Sequence, residues 1–166
     1  MPAQGFCLWR VHNKEIMMYQ KIYNAYLALN KGAQADLKRC NLNKLADCPA
    51  YFRVLKMTGA KDTLQTQRTL YLLVGLDIRS GDETSVNVAQ ALINADVKES
   101  QIIQISRGGD NSIDYLKRQL VRCKNIKLSS IGKLAQYWGE NTRRNLLKNF
   151  ILSANNESDI SDPKTH

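Results

Sequence analysis

Apolar residues recur along most of the chain at intervals of three and four positions, which places side chains on one face of an α-helix. The segment from Asn13 to about Asn30 carries such a stripe, with Asn13 as its cap and Gly32 as its stop. Pro49 and Gly59 bracket a second helix, because proline suits the first helical position and glycine the position after the last. No strand-like alternation bounded by hairpin turns occurs, and the pattern predicts an all-α fold.

The same periodicity and the breaks in it predict the remaining helices. Their expected ranges are 63–79, 84–94, 98–106, 111–124, 129–138 and 142–154. The breaks "RSGDE" and "RGGDN" indicate a boundary between them, near residue 95. We therefore expect two small helical bundles forming one elongated unit, an N-terminal bundle over 1–95 and a basic C-terminal bundle over 96–154. The polar, acidic segment 155–166 is expected to be disordered.

The charge of the chain suggests a polyanionic partner. The 166 residues include 24 Lys and Arg against 15 Asp and Glu, which gives a formal net charge of +9. A pI above about 9 is typical of nucleic-acid-binding domains, although basic proteins also bind anionic membranes. Between residues 104 and 152 there are ten basic and three acidic side chains, so +7 of the +9 lies in this region. The sequence therefore predicts an interface concentrated in the C-terminal bundle.

Residues that could support catalysis or bind a metal do not form recognisable patterns. The four cysteines include no C-x-x-C pair, and the only histidines are His12 and His166. No carboxylate pair, Ser/His or Cys/His arrangement or Gly-rich phosphate loop stands out. We expect no catalytic residue, metal ligand or cofactor, and free thiols in a reducing compartment. Without a signal peptide or an apolar run of about 18–20 residues, a soluble cytoplasmic protein is expected.

Two predicted helices place basic side chains away from their apolar stripes. Arg118 and Arg122 lie four positions apart, opposite the apolar face of their helix, and Lys117 flanks the edge of that face. Arg144 and Lys148 have the same spacing on the polar flank of the last helix. Such rows are either solvated surfaces or contacts for phosphate groups.

Arg143 and Arg144 lie side by side at the start of the last helix, just after Trp138 and Gly139. Basic residues in a first turn oppose the helix macrodipole, at a cost of roughly 0.3–1 kcal/mol each. A nearby anion would offset this cost, since helix N-termini and arginine forks both favour phosphate. The arginine pair therefore predicts a negatively charged neighbour.

The segment 134–148 suggests an alternative function, a stand-alone DNA-binding regulator with a helix-turn-helix motif. Its first half matches that motif, with the small Ala135 four residues ahead of Gly139. The second half requires apolar residues at three positions that are polar here, Glu140, Asn145 and Lys148. The apolar stripe is thus out of phase with the motif, and sequence-specific reading of the major groove remains the second interpretation.

Four segments in order along the chain resemble one known family. They are "DCPAYFRVLKMTG", "NVAQALINADVKESQIIQISR", "IDYLKRQL" and "LAQYWGENTRRNLLKNFILSANN". They resemble the CasB family, the small subunit of Cascade, which is the type I-E CRISPR surveillance complex. The likeness extends from about Leu37 to Asn156 and is most specific at 49–53 and near Trp138.

The resemblance implies an all-helical, non-catalytic protein of two bundles. It implies that two copies lie head to tail in the complex, in contact with other Cascade subunits, namely the large subunit and the backbone subunits that hold the guide RNA. It further implies that a basic surface holds target DNA, chiefly the displaced strand, and stabilises the R-loop in antiviral defence. Because such complexes read sequence by guide–target pairing, a small subunit needs only contacts to the nucleic-acid backbone.

The resemblance also suggests individual nucleic-acid-binding residues. Those that match the family are Lys38, Arg39, Arg53, Arg107, Lys117, Arg118 and Arg143, and the helical pattern adds Arg122, Arg144 and Lys148. Glu140 stands where a basic residue would be expected, and Arg53 has a structural alternative in a salt bridge with Asp47 or another acid. A third interpretation is a structural scaffold whose basic face docks an acidic protein.

Overall fold

The structure, a computed structural model, describes the backbone of residues 2–81 and 83–161 and the side chains of residues 13–81 and 83–154. Its helices are α1 (Pro2–Ala28), α2 (Lys31–Arg39), α3 (Leu42–Leu45), α4 (Pro49–Thr58), α5 (Leu64–Leu73), α6 (Val88–Asn94), α7 (Glu99–Arg107), α8 (Ile113–Leu120), α9 (Leu128–Gln136) and α10 (Glu140–Ser161). A 3-10 turn (Asp110–Ser112) and two short strands, β1 (Ile78–Arg79) and β2 (Ile126–Lys127), are also present. The predominance of helix confirms the predicted fold class.

Local sequence signals account for several helix ends. α4 begins at Pro49, and Gly59 after its last turn has a left-handed backbone conformation, with φ of 74°. The N–H of Gly59 donates to the carbonyl of Leu55 at 2.8 Å, which satisfies a terminal acceptor of the helix. At the start of α2, the side chain of Asn30 accepts a hydrogen bond from the N–H of Ala33 at 2.8 Å. The two ends of α4 confirm the prediction made from its proline and glycine.

Several predicted helix ranges are wrong, including those of the first helix and of the helix over 63–79. The first helix, α1, extends in the N-terminal direction beyond Asn13. The helix predicted over 63–79 ends at Leu73, because Gly75 adopts a φ of 79° and the chain turns into β1. Ile78 then pairs in parallel with Ile126 of β2, a partner that no local sequence window includes.

The chain divides into two compact units whose boundary differs from the predicted one. Unit 1 contains the described residues through Gly75 together with α9, and unit 2 contains Leu76–Lys127 and the described residues from Tyr137 onward. A boundary near residue 95 would separate α6 from α8 and α10, against which it packs. The ranges 1–95 and 96–154 are corrected accordingly, and α9 belongs to unit 1 because it packs against α5 and α1.

The last helix is longer than the sequence pattern predicted. α10 continues past residue 154 to Ser161, so helix occupies the first part of the segment 155–166, for which disorder was expected. Residues 162–166 lie outside the described residues.

Unit 1 is held together by close apolar packing between helices. Leu70, Leu72 and Leu73 of α5 are fully buried, and α5 packs against α9. On the opposing helix α1, the ring of Tyr19 covers Gly132 of α9 so closely that a Cβ at Gly132 would lie 2.5 Å from it. α1 and α9 can therefore approach each other at this point only with glycine in α9.

Unit 2 packs α10 against α6 and α7 and adds the parallel pair β1–β2. The N–H of Ile126 donates to the carbonyl of Asp77 at 3.0 Å, and the N–H of Asn125 donates to the Asp77 carboxylate at 3.1 Å. Val86 forms an additional parallel bridge to Ile126. These bonds hold the segment before α6 beside the segment before α9.

Candidate nucleic-acid interface

The two adjacent arginines in the first turn of α10 have different environments. Arg143 is only 7% exposed, whereas Arg144 is exposed to solvent. The guanidinium of Arg143 donates through Nη1 to the carboxylate of Asp110 and through Nε to the carbonyl of Ser106, the latter at 3.4 Å. Its Cζ lies 5.8 Å from the ring centroid of Trp138. We call the group of Ser106, Asp110, Trp138 and Arg143 the arginine corner.

The turn between α7 and α8 places Asp110 for this contact. Gly109 has a positive φ of 73°, and a Cβ on Gly108 would lie 2.9 Å from a backbone oxygen. The hydroxyl of Ser112 closes the turn by donating to the carbonyls of Ile105 and Gly109, each at 2.7 Å. The segment "RGGDN" is thus a helix–helix turn, as its sequence suggested.

The indole of Trp138 secures the other side of the arginine corner. Its Nε1–H donates to the carbonyl of Asp110 at 2.9 Å. Asp110 therefore accepts from Trp138 through its backbone and from Arg143 through its side chain, and the start of α10 is tied to the end of α7. In the sequence, Asp110 is 28 positions from Trp138 and 33 positions from Arg143.

The arginine corner supplies the anion that the sequence required near the first turn of α10. The Asp110 carboxylate and the Ser106 carbonyl, at the C-terminal end of α7, both place negative charge next to Arg143. The expectation that Arg143 contacts nucleic acid is corrected, because its guanidinium is buried against partners within the chain. The next residue, Arg144, is exposed to solvent and remains a candidate for phosphate contact.

Basic side chains elsewhere in unit 2 project into solvent. Arg107 is exposed in the last turn of α7, and Arg144 and Lys148 are exposed four positions apart on α10. Because Arg143 binds the carbonyl of Ser106, the backbone of Arg107 lies beside the first turn of α10. Unit 2 thus packs α7, which ends at Arg107, against α10, which carries Arg144 and Lys148, although the two helices are far apart in the sequence.

The predicted row on α8 is partly rearranged. Arg118 is exposed, with its Cζ 5.9 Å from the ring centroid of Tyr115, and Lys117 is half-buried. Arg122 lies beyond the last residue of α8, where it donates to the Gln119 side chain at 3.1 Å and to the Ala95 carbonyl at 3.2 Å. Arg122 is still exposed, but these bonds hold its guanidinium in place, which lowers the entropy lost on binding an anion.

The three predicted basic residues of unit 1 are all exposed. Lys38 and Arg39 lie at the end of α2, where Arg39 forms an ion pair with Asp36 at 2.6 Å. Arg53 projects from α4, and within the described residues no ion pair joins it to Asp47. The structural alternative for Arg53, a salt bridge with Asp47 or another acid, is therefore absent from the described part of the chain.

Two features of the structure count against the helix-turn-helix interpretation. Its two helices would be α9 and α10, which belong to different compact units. In such a motif, side chains in the first turns of the second helix reach base edges. Here Arg143 is buried and bound to Asp110.

Other chemistry is sparse in the described residues. No group of three or more His, Cys, Asp or Glu side chains there could hold a metal ion. Cys48 and Cys123 are buried free thiols and Cys40 is half-buried, and burial raises the pKa of Cys123 to about 11. No helix in the described part of the chain is long and apolar enough to cross a membrane.

Comparison with known proteins yields one curated relative and a matching fold. No protein-family model matches the chain. The CRISPR system Cascade subunit CasB of Escherichia coli strain K12 is 26% identical over 149 residues, which cover 81% of this chain and 92% of CasB. A chain in the crystal structure of E. coli Cascade bound to a PAM-containing dsDNA target matches with a TM-score of 0.71. These findings support a CasB-family assignment.

The structural match bears on the fold alone. It covers 81% of this chain and 95% of the Cascade chain at 24% sequence identity, so it shows a shared helical fold. The resemblance inferred from the sequence is therefore supported by the similarity to CasB and by the shared fold. Arg53 and Arg143 occupy those two most specific segments, one exposed and the other buried.

Proposed function

We propose that this chain is the non-catalytic small subunit of a type I-E CRISPR RNA-guided surveillance complex. In this role it binds the nucleic-acid backbone without sequence specificity and stabilises the R-loop, chiefly by holding the displaced DNA strand. The observation that carries the proposal is exposure: eight of the ten predicted basic residues are exposed, Lys117 is half-buried, and Arg143 alone is buried. The similarity to CasB supports the context.

The proposed partners follow from the two matched proteins. The curated relative is named as a subunit of Cascade, and the matching crystal structure contains Cascade on a double-stranded DNA target. We propose contacts with the backbone and large subunits, with a second copy of this chain, and with guide RNA and target DNA in the cytoplasm. The formal charge of +9 favours association with both nucleic acids.

The exposed side chains suit phosphate better than base edges. Arginine and lysine neutralise phosphates and release counterions, which gives affinity that depends on salt but not on sequence. Contacts of this kind position a protein on nucleic acid without specifying a sequence. Since guide–target pairing supplies sequence recognition in RNA-guided complexes, the small subunit requires no base-reading helix.

The test is the salt dependence of single-stranded DNA binding by the isolated full-length chain. If four to six phosphates are contacted, log K should fall with log salt at a slope of roughly −3 to −5. The double reversal Arg144→Glu and Lys148→Glu should weaken binding to all sequences alike and reduce the magnitude of the slope by about two. Lys21→Glu is the matched control, because Lys21 is an exposed lysine of α1 outside the proposed set.

Other outcomes would point to the competing functions. A slope near zero for the wild-type chain would contradict backbone binding. A strong preference for one duplex sequence would favour the DNA-binding regulator over the surveillance-complex subunit. If charge reversal prevented assembly while leaving nucleic-acid affinity unchanged, the basic surface would instead dock an acidic protein.

A further inference from the structure

One face of α4 is exposed and carries both apolar and cationic side chains. Tyr51 and Val54, on the opposite side, are fully buried in unit 1. The exposed side chains are Phe52, Arg53, Lys56 and Met57. We call these four residues the α4 face.

The four positions form a continuous strip. At 3.6 residues per turn they span an arc of roughly 140° around the helix axis. Phe52 is 46% exposed and Met57 is 53% exposed, so large apolar surfaces flank the two cations. Burial of such apolar area is favourable for any partner that offers a flat apolar surface.

The ring of Phe52 lies next to the ring of Tyr51. Its centroid lies 5.7 Å from that of Tyr51, with the ring planes tilted by 42°. Tyr51 is itself fully buried, and its hydroxyl donates to the Asp62 carboxylate at 2.6 Å. Phe52 therefore lies against an anchored ring, which lowers the conformational entropy lost when a partner covers it.

The composition of the α4 face indicates the class of partner. α4 contains two basic residues and no acidic one, so its field attracts a polyanion. A single-stranded nucleic acid combines phosphates with exposed base faces, and aromatic side chains stack on such bases largely independently of sequence. A duplex hides those base faces, and an acidic protein offers no comparable flat rings at every step.

We propose that the α4 face is a stacking site for an unpaired base of single-stranded nucleic acid. Phe52 contacts the base, and Arg53 and Lys56 contact the flanking phosphates. This inference rests on the proposed function, because it specifies how unit 1 holds a displaced strand. Stacking on Phe52 would add binding free energy that requires a base but not a particular base. The other proposed residues contact only phosphates.

The test compares oligonucleotides with and without bases. Binding of the full-length chain to a labelled oligothymidine is measured beside binding to an oligonucleotide of equal length made of abasic sites. Phe52→Ala should weaken oligothymidine binding about fivefold or more, since stacking contributes substantially per base, and leave abasic binding unchanged. Phe52→Trp should retain the wild-type affinity. Met17→Ala is the control, since Met17 is 58% exposed on α1.

A second measurement keeps the inference testable if Phe52→Ala perturbs folding. The Phe52→Trp chain should show additional quenching of tryptophan emission with oligothymidine, relative to wild type, and no additional quenching with the abasic strand. Equal losses on both oligonucleotides for Phe52→Ala, or no loss on either, would overturn the stacking site. Loss of a protein partner with unchanged oligonucleotide binding would also overturn it.

The two proposals fail in different ways. A flat salt dependence with an intact difference between oligothymidine and the abasic strand would remove backbone binding, including the phosphate contacts of Arg53 and Lys56, and leave only the stacking of a base on Phe52. A steep salt dependence with no effect of Phe52→Ala would leave the proposed function and remove the stacking site.

Discussion

Unit 1 and unit 2 bring their helices together with different chemistry. In unit 1, the ring of Tyr19 packs on the bare backbone of Gly132, a contact without charge. In unit 2, the buried guanidinium of Arg143 joins Asp110 and Trp138 in the arginine corner. The first contact depends on shape, and the second depends on charge that salt can screen, because the Asp110 side chain is 57% exposed.

This difference shows that not all of the basic character in unit 2 is available to a ligand. Arg143 and Arg144 are adjacent and chemically identical, yet only Arg144 is exposed. Even in a protein with an excess of basic residues, some of them form internal ion pairs, as Arg143 does with Asp110. A count of charges therefore overestimates the phosphates that this surface can contact.

The largest expected effect comes from filling the close contact in unit 1. Gly132→Ala places a methyl group 2.5 Å from the Tyr19 ring, and both residues are buried. We expect a loss of stability of about 3 kcal/mol, the upper end of the usual cost of overpacking. Urea unfolding followed by circular dichroism measures this loss, and hydrogen exchange should rise first in α1 and α9. An unchanged midpoint would mean that the two helices separate more easily than their packing suggests.

The arginine corner should give a somewhat smaller loss that depends on salt. Arg143→Ala removes charged hydrogen bonds to Asp110 and Ser106, at a cost of about 2 kcal/mol. Arg144→Ala is the matched control and should change stability by less than about 0.5 kcal/mol, because Arg144 is exposed. Urea midpoints at low and high salt provide the measurement. Equal effects of the two substitutions would contradict the distinction between buried and exposed arginine.

A third substitution tests the polar contact within unit 1. Hydrogen bonds from Tyr51 and Gln67 lower the pKa of Asp62 below its ordinary value of 3.8. Burial, with the bond to Asp62, raises the pKa of Tyr51 above its ordinary value of 10.0. Tyr51→Phe keeps the packing and removes this bond, so it should lower the urea midpoint by less than Arg143→Ala does.

The pH dependence of that loss has a definite sign. A depressed Asp62 pKa adds stability above pH 3.8 that is lost as pH falls, and a raised Tyr51 pKa adds stability below pH 10.0 that is lost as pH rises. The difference between wild type and Tyr51→Phe should therefore be largest between these values and smaller on either side. A difference independent of pH would exclude the Asp62 contact as its source.

The smallest effect on stability is expected at the exposed acid beside the two arginines. Glu140 lies in the first turn of α10, where negative charge favours the helix macrodipole. Glu140→Lys should cost about 0.3–1 kcal/mol of stability. It should also strengthen DNA binding and make the salt slope steeper by about one, because the surface gains one phosphate contact. An unchanged slope would place the bound strand away from this end of α10.

Local sequence signals predicted the elements whose ends depend on neighbouring residues. Pro49 and Gly59 gave both ends of α4, and "RGGDN" gave the turn before α8. The β1–β2 pair escaped prediction because Ile78 and Ile126 are far apart in the chain, while Ile78 continues the helical periodicity of the preceding residues. The boundary was predicted near residue 95 for a similar reason. No local sequence signal shows that α9 packs in unit 1.

The candidate site was predictable in composition but not in geometry. The basic residues of α8 and α10 could be found from spacing, and eight of the ten proposed positions are indeed exposed. The burial of Arg143 could not be found, because Asp110 lies 33 positions away. The opposition between a first-turn arginine and the helix macrodipole did indicate that an anion was needed. The structure supplies that anion from within the chain.

The return of α9 to unit 1 has a consequence for synthesis on the ribosome. Roughly 50 residues of unit 2 separate Gly75 from α9, so at about 5–20 residues per second the first part of unit 1 waits several seconds for its last helix. During that time α1 and α5 lack α9, the helix against which both of them pack. Unit 1 therefore cannot complete its core before residues 76–127 of unit 2 have been synthesised.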